Sequence, residues 1–160
     1  MTAWRSLSPC MAAWSKGCYP PMRGANQRRE RAHMTITHRD GSVITDQYNT
    51  VAAAVAAGVS LAGANLAGMN LRGANLRGAY LRGADLTDAD LRNADLWGAF
   101  LTNADLTNAY LTGADLTGAY LRGASLTGAI LTNADLTGAD LTDANLTGAR
   151  IALGNRMMTL

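Results

Sequence analysis

The sequence predicts an all-β solenoid, in which the chain winds into stacked coils with four flat walls. Leucine recurs at every fifth residue from Leu61 to Leu146, eighteen times without a substitution. Alanine stands two residues before sixteen of these leucines, and Gly, Asn or Asp stands two residues after all eighteen. Leucine and alanine are the expected core. The three small residue types tolerate positive φ, so they are the expected corners.

Neither a helix nor a plain strand explains a period of five. In an α-helix a step of five residues advances by roughly 140°, so the leucines would spread around every face. In a continuous strand an odd step would place successive leucines on opposite faces. The chain must therefore turn a corner once in each pentad, which is typical of a solenoid repeat.

The residue before each leucine predicts the number of walls. In one half of the series this residue is always small and polar. The bulky residues all fall in the other half, which contains Tyr80, Phe100, Tyr110, Tyr120, Ile130 and Arg150. This ten-residue alternation needs an even number of walls, because three walls would mix the two classes. Two walls are too few to enclose leucine, so we expect four.

The repeat resembles that of the pentapeptide-repeat proteins, whose motif A(D/N)LxG occurs here as GADLTGA, NADLTNA and RGANLRGA. The resemblance covers residues 59–151, which we predict to be the solenoid. It implies a right-handed quadrilateral β-helix, and eighteen pentads at four per coil give about four and a half coils. Members of the family usually mix phenylalanine with leucine at the central position, whereas leucine alone occurs here.

Residues 1–33 have no periodicity and contain three prolines and a basic run. We expect them to form a disordered basic extension, which leaves open whether Met1 or Met34 is the true start. A basic tail that contacts nucleic acid or a partner is the alternative interpretation. Cys10 and Cys18 are too few for a metal site, so we interpret them as free thiols of a reducing compartment.

The composition predicts a cytoplasmic protein. The chain has no apolar segment of signal-peptide length and none that could span a membrane, so we expect no contact with membranes. Residues 1–59 carry seven basic and three acidic side chains, whereas residues 60–150 carry six arginines and nine aspartates, a net charge of −3. No face is basic enough to predict direct binding of nucleic acid.

Residues 34–58 are the expected N-terminal cap. Two β-rich runs, Thr35–Thr37 and Val43–Thr45, flank an Asp-Gly turn and predict a hairpin. The segment NTVAAAVAAG then predicts a short helix with Asn49 or Thr50 as its N-cap. A hairpin and a helix can cover the leucine core and the unpaired strand edges at the end of a solenoid.

Residues 152–160 are the expected C-terminal tail. Met157, Met158 and Leu160 are apolar and can lie over the last coil, but the tail is too short for a large cap. An uncovered core favours self-association, so this end is the candidate interface of a homodimer. A monomer whose tail folds across the last coil is the alternative.

The solenoid lacks the side chains of most enzymes. Residues 60–150 contain no His, Cys, Lys or Glu, on which acid–base and nucleophilic catalysis mostly depend. We therefore expect no enzyme activity, no metal site and no cofactor. The spacing of the aspartates predicts acidic columns formed by Asp85, Asp105, Asp95, Asp115 and Asp135. Carboxylates stacked at about 5 Å are spaced like those of retaining glycosidases, but a flat wall provides no cleft for a sugar.

The bulky outward residues predict ladders of side chains on two opposite walls. Stacked rings stabilise a sheet by about 0.5–1.5 kcal/mol per aromatic pair. They are also typical of protein-binding surfaces, because aromatic residues dominate interface hot spots. The candidate protein-binding strip comprises Tyr80, Trp97, Phe100, Tyr120, Tyr110 and Ile130.

Two functions are consistent with these features. The first is a non-enzymatic structural or protein-binding module, whose partner the sequence does not identify. The second, implied by the resemblance, is a DNA-mimicking topoisomerase binder, like the pentapeptide-repeat proteins that protect gyrase from quinolones. Those relatives are typically longer, strongly acidic along one face and dimeric through a C-terminal helical element. This sequence has no room for that element after Ile151.

Overall fold

The computed structural model describes residues 34–153 and 156–159. The extension predicted for residues 1–33 lies outside the described residues. Most of the described chain consists of pentads that contain no continuous strand. Short structural elements flank these pentads on both sides.

The described chain begins with a hairpin and a helix. Strands β1 (Met34–Thr37) and β2 (Val43–Tyr48) pair in an antiparallel arrangement, and β2 is longer than the run that the sequence predicts. Helix α1 (Val51–Ala56) follows directly. Thr50 is its N-cap, and the Thr50 side chain accepts a hydrogen bond from the amide of Ala53 at 3.0 Å. This bond satisfies one of the amides that the first turn of a helix leaves unpaired.

Each pentad buries its leucine and turns its corner two residues later. The leucines from Leu61 to Leu131 are all buried, with at most 5% of their surface exposed. All eighteen corner residues have positive φ, between 56° and 72°, and six of them are Asn or Asp. Most L-residues avoid this left-handed region, which explains why the corners are restricted to three residue types. The core and the corners therefore lie where the sequence predicts them.

Parallel β-bridges join residues that are twenty positions apart, so the chain returns to the same wall after four pentads. We name the walls by the outward residues that precede the core leucines. Wall A carries Asn65, Asp85, Asp105, Ser125 and Asn145; wall B carries Asn70, Asp90, Tyr110, Ile130 and Arg150; wall C carries Asn75, Asp95, Asp115 and Asp135; wall D carries Tyr80, Phe100, Tyr120 and Asp140. Walls A and C are thus polar, and the bulky side chains lie on walls B and D.

Backbone hydrogen bonds connect each coil to the next. The amide of Leu86 donates to the carbonyl of Asp105 at 2.7 Å, and the amide of Asp85 donates to the carbonyl of Ala64 at 2.8 Å. Equivalent bonds recur at the corresponding positions of the following coils. A buried backbone group that lacks a partner costs free energy, so this ladder holds the twenty-residue register.

The N-terminal hairpin and α1 pack against the first pentads. Ile36, Val51 and Ala54 are buried in the same apolar cluster as the leucines. The amide of Asn65 donates to the carbonyl of Thr37 at 2.7 Å, so the end of β1 pairs with the lower edge of wall A.

The C-terminal end contains a hairpin where the sequence predicts only a tail. Strand β3 (Arg150–Leu153) is bridged to Ile130 on wall B through Arg150, and β4 (Arg156–Thr159) pairs with β3 in an antiparallel arrangement. A tight hairpin depends on local turn geometry, which the five-residue period does not reveal. Three leucines at this end are only partly buried, namely Leu136, Leu141 and Leu146.

We expect Gly113→Ala to destabilise the protein more than Gly118→Ala. Both glycines have positive φ, 69° and 64°, so each alanine is strained. A Cβ at Gly113 would lie 2.5 Å from Oδ1 of Asn93 in the coil below, whereas a Cβ at Gly118 would meet no atom within 4 Å. The additional loss should be about 1 kcal/mol of unfolding free energy, measured by denaturant titration.

The double variant Asn93→Gly/Gly113→Ala is the control for this contact. Asn93→Gly removes the asparagine oxygen. Adding Gly113→Ala to Asn93→Gly should therefore lower the unfolding free energy only as much as Gly118→Ala lowers it in the unaltered protein. Equal losses for Gly113→Ala and Gly118→Ala would show that the contact with Asn93 is relieved without cost.

Candidate functional site

Three aromatic side chains form a stack on wall D, which we call the aromatic strip: Tyr80, Phe100 and Tyr120. The ring centroids of Tyr80 and Phe100 are 5.1 Å apart, and those of Phe100 and Tyr120 are 4.9 Å apart. The rings are nearly parallel, with interplanar angles of 6° and 3°. The coil-to-coil spacing of a β-structure is about 4.8 Å, so the backbone register itself places the rings at stacking distance.

The aromatic strip remains open to solvent. Tyr80 is 55% exposed, Phe100 is 37% exposed and Tyr120 is 47% exposed. Arg82 and Arg122 lie two residues after the two tyrosines and point outward from the same wall. Wall D therefore presents aromatic and guanidinium groups side by side.

Trp97 lies on wall C and interacts with an arginine of the coil below. The guanidinium carbon of Arg77 lies 4.7 Å from the Trp97 ring centroid, a cation–π contact. Nη1 of Arg77 also contacts Oδ2 of Asp95 at 3.1 Å. Trp97 is 48% exposed. The structure shows no ring stacking between Trp97 and the described aromatic residues.

The remaining bulky residues lie on the opposite wall. Tyr110 and Ile130 are bridged neighbours on wall B. The guanidinium carbon of Arg92 lies 6.0 Å from the Tyr110 ring centroid, and Arg92 also forms an ion pair with Asp90. The six residues of the candidate strip thus lie on three walls, and among them only Tyr80, Phe100 and Tyr120 on wall D form a continuous stack.

The aspartates of the acidic columns are bridged from coil to coil, and several of their carboxylates have local partners. Asp85 and Asp105 are bridged on wall A. Arg39, in the turn of the N-terminal hairpin, donates from Nε to Asp85 Oδ2 at 3.1 Å and from Nη2 to Asp105 Oδ2 at 3.5 Å. Burial acts to raise the pKa of Asp85, but hydrogen bonds from Thr87 and Arg39 outweigh it and hold that pKa below its usual value. Sequence reasoning missed Arg39, which lies far from both aspartates along the chain.

The aspartates of wall C brace the backbone. Each accepts a hydrogen bond from the amide two residues later: Asp95 from Trp97 at 3.2 Å, Asp115 from Thr117 at 2.9 Å and Asp135 from Thr137 at 2.9 Å. Such bonds stabilise a turn, as in an Asx motif. The recurring Asp or Asn before leucine was the available signal for this role.

The described residues contain no group of three His, Cys, Asp or Glu side chains that could hold a metal ion. Within the same residues, every buried side-chain nitrogen or oxygen has a hydrogen-bond partner. No helix in the described part of the chain is long and apolar enough to cross a membrane. Met157 and Met158 of the predicted dimer end lie in β4, and Leu160 lies outside the described residues.

Comparisons with known proteins identify the repeat. A family model described as pentapeptide repeats (8 copies) matches residues 53–88, 84–123 and 119–151, which together make up more than half of the chain. Comparison with curated protein sequences finds no match.

The chain is also similar to solved structures of pentapeptide-repeat proteins. Rfr23 from the cyanobacterium Cyanothece 51142 is 38% identical over 51% of this chain and 55% of that chain, with a TM-score of 0.50. HetL, involved in heterocyst differentiation regulation in Nostoc sp. strain PCC 7120, is 41% identical over 56% of this chain and 52% of that chain, with a TM-score of 0.34. QnrB1, a plasmid-mediated fluoroquinolone resistance protein, is 20% identical over 53% of this chain and 59% of that chain, with a TM-score of 0.27. The chain thus spans little more than half the length of these relatives. The resemblance seen in the sequence is confirmed, and with it the right-handed β-helical solenoid.

We expect Asp90→Asn to remove a pH-dependent part of the stability. Hydrogen bonds from the Arg92 side chain, at 2.8 and 2.5 Å, lower the pKa of Asp90 from 3.8 to about 2. Because the pKa is lower in the folded state, the stabilisation is present above about pH 4 and is lost as the pH falls toward 2. Asparagine can still accept the backbone hydrogen bond, so the loss at pH 7 should be about 1 kcal/mol.

Denaturant titrations at pH 7, 4 and 2 measure this difference. Asp143→Asn is the control, because the contact of Asp143 with Arg122 is 3.8 Å long and both side chains are largely exposed. Equal losses for the two variants at pH 7, or a loss at Asp90 that persists at pH 2, would contradict the assignment.

Proposed function

This chain belongs to the pentapeptide-repeat family, and we propose that it is a non-enzymatic module that binds a partner protein through wall D. The observation that carries this proposal is the aromatic strip. Its rings are ordered by stacking on one another, so a partner could cover them with little loss of side-chain entropy. Rings that are already ordered and still exposed are well suited to act as interface hot spots.

The surroundings of the aromatic strip support the same proposal. Arg82 and Arg122 lie on the same wall, and arginine and aromatic residues are the types most enriched in protein interfaces. If the rings served only to stabilise the sheet by stacking, the wall would not need arginines beside them. The flat walls of the solenoid favour a binding surface over a catalytic cleft.

The number of coils and the nature of the N-terminal cap define the solenoid that carries wall D. We propose about four and a half coils, with the N-terminal hairpin and α1 as the cap; the twenty-residue bridges and the buried Ile36, Val51 and Ala54 support this arrangement. A cytoplasmic location and the lack of direct nucleic-acid binding stay predictions from the sequence.

A homodimer through the C-terminal end is part of the proposal. The partly exposed Leu136, Leu141 and Leu146 support it, because a partner could cover them. The predicted contact residues Met157, Met158 and Leu160 are adjacent to this end in the sequence. Two-fold pairing would bury the same patch on both chains.

The second function inferred from the resemblance, a DNA-mimicking topoisomerase binder, has less support. A DNA mimic needs columns of free negative charge, whereas Arg39 contacts Asp85 and Asp105, and Arg77 contacts Asp95. The likeness to QnrB1 concerns the repeat. Asp115 and Asp135 remain as a shorter acidic column on wall C.

We expect Tyr120→Ser to abolish partner binding while Tyr110→Ser preserves it. The two tyrosines are similarly exposed, at 47% and 45%, but only Tyr120 belongs to the aromatic strip. The full-length protein is used to capture partners from an extract of the cells that produce it, and the captured proteins are identified by mass spectrometry. Thermal unfolding of both variants checks that neither loses more than the ~1 kcal/mol expected from one stacked pair. A partner retained equally by both variants would reduce the aromatic strip to a structural role.

We expect the protein to leave quinolone inhibition of gyrase unchanged. The reason is that Arg39 offsets part of the negative charge of Asp85 and Asp105 on wall A. A supercoiling assay with gyrase, quinolone and increasing amounts of protein measures this, with a known quinolone-protecting relative as the positive control. Restored supercoiling would favour the DNA-mimicking function over the proposed one.

A further inference from the structure

A hollow lies between α1 and the first pentads of walls B and C, and we call it the basal hollow. Its larger part has a volume of about 360 Å³ and is lined by residues that include Met34, Val51, Met69, Asn70 and Arg72. A neighbouring part of about 280 Å³ lies along the same helix, beside Asn75 and Arg77. The volume of the larger part falls within the range of ligand pockets.

The upper rim of the basal hollow is an unpaired β-edge. Among the residues that the structure describes, the amides of Asn70 and Asn75 have no backbone acceptor, and the carbonyls of these two residues have no backbone donor. One coil higher on the same walls, Asp90 and Asp95 use both groups, for example from the Asp90 amide to the Met69 carbonyl at 2.9 Å. Walls B and C therefore begin with one missing strand.

The other two walls show how such an edge is completed. On wall A, the amide of Asn65 donates to the carbonyl of Thr37 in β1 at 2.7 Å. On wall D, the amide of Leu61 donates to the carbonyl of Tyr80 at 2.9 Å. An extended backbone thus occupies the edge position on walls A and D, whereas the basal hollow occupies it on walls B and C.

The interior of the basal hollow is apolar and incompletely covered. Ala74 on wall C is partly exposed, whereas Ala94 and Ala114, directly above it, are each 1% exposed. Met69, the corresponding residue on wall B, is also partly exposed. A side chain that entered the basal hollow would bury Met69 and Ala74 as fully as the corresponding residues of the higher coils are buried.

The rim of the basal hollow is basic. Arg72 and Arg77 follow the first leucines of walls B and C, and both point outward. The side chain of Arg72 forms no hydrogen bond or ion pair with the described residues, whereas Arg77 is paired with Asp95. An added strand on wall B would place its own outward side chains directly below Arg72, because stacked strands align their side chains in columns.

We propose that the basal hollow binds an extended acidic peptide segment of a partner protein, which adds one strand to wall B. The peptide backbone pairs with the free amide and carbonyl of Asn70. Alternate side chains point inward toward Met69 and are apolar. The side chains between them point outward, and a carboxylate among them pairs with Arg72. This mode is β-augmentation, in which the backbone supplies affinity and the alternate side chains supply specificity.

This site is separate from the aromatic strip and does not depend on the function proposed for wall D. A nucleic-acid strand would supply negative charge, but it has no alternating amide and carbonyl groups to pair with a β-edge. A second copy of this chain would need a free extended acidic segment, and the aspartates of the described solenoid are held within its walls. A peptide segment of another protein fits all three observations: the edge, the apolar interior and the basic rim.

The test uses the full-length protein and a fluorescein-labelled peptide in which Leu and Val alternate with three Glu residues. Fluorescence anisotropy measures the Kd. We expect Arg72→Glu to weaken binding about five- to tenfold, because it replaces an attraction with a repulsion. Arg150→Glu is the matched control, since Arg150 lies on the same wall B at the other end of the solenoid, and it should leave the Kd unchanged. A peptide with Lys in place of Glu should bind Arg72→Glu better than the unaltered protein.

Two further measurements test the added strand. Two peptides are compared, one N-methylated at its odd-numbered amides and one at its even-numbered amides, which we call the two methylation phases. Each blocks the hydrogen bonds of one edge of the peptide, so one phase should weaken binding about tenfold and the other should not. Hydrogen exchange should slow at the amide of Asn70 when the peptide is bound. Each of these outcomes would overturn the proposal: no binding at millimolar peptide, equal effects of both methylation phases, or protection on wall D in place of wall B.

Discussion

Hydrogen bonding between successive coils is the constraint on which the other features of this solenoid depend. Each coil offers the next one a fixed pattern of amides and carbonyls, and the bonds form only when the chain returns after twenty residues. That return requires a corner in every pentad, and every corner requires positive φ. Leucine packing follows from this geometry, because a regular return points each leucine toward the same axis.

The same register converts single residues into columns, and this is how the surface acquires its character. One bulky residue per coil becomes a stack of rings at about 5 Å, as in the aromatic strip. One aspartate per coil would become a row of repelling charges, and the structure offsets that repulsion in two ways. On wall C each carboxylate accepts a hydrogen bond from a backbone amide. On wall A, Arg39 forms ion pairs with both Asp85 and Asp105. Binding surfaces and structural supports thus arise from one arrangement and differ only in which side chain is repeated.

The two ends are where this ladder of hydrogen bonds must stop, and they carry the openings of the fold. At the N-terminal end, extended chain completes the edges of walls A and D, while the basal hollow lies below walls B and C. At the C-terminal end, β3 and β4 lengthen wall B, and the last leucines are partly exposed. A regular repeat cannot terminate itself, so non-repeating segments decide which edges remain available to a partner.

The sequence by itself determined the inside, the corners and the twenty-residue columns, because a pentad uses the same local chemistry wherever it occurs. The sequence alone assigns Leu96 to the core and Tyr120 to the surface, since each occupies a fixed position in a repeat of five. Only the tertiary structure decided what lies outside that period: the reach of Arg39 to two aspartates, the separation of Trp97 from the aromatic strip, and the hairpin of β3 and β4. It also decided that walls B and C begin with an unpaired edge. The physical reason is that these features depend on how non-repeating segments dock onto the coils, and contacts between residues far apart in the chain leave no periodic signal in the sequence.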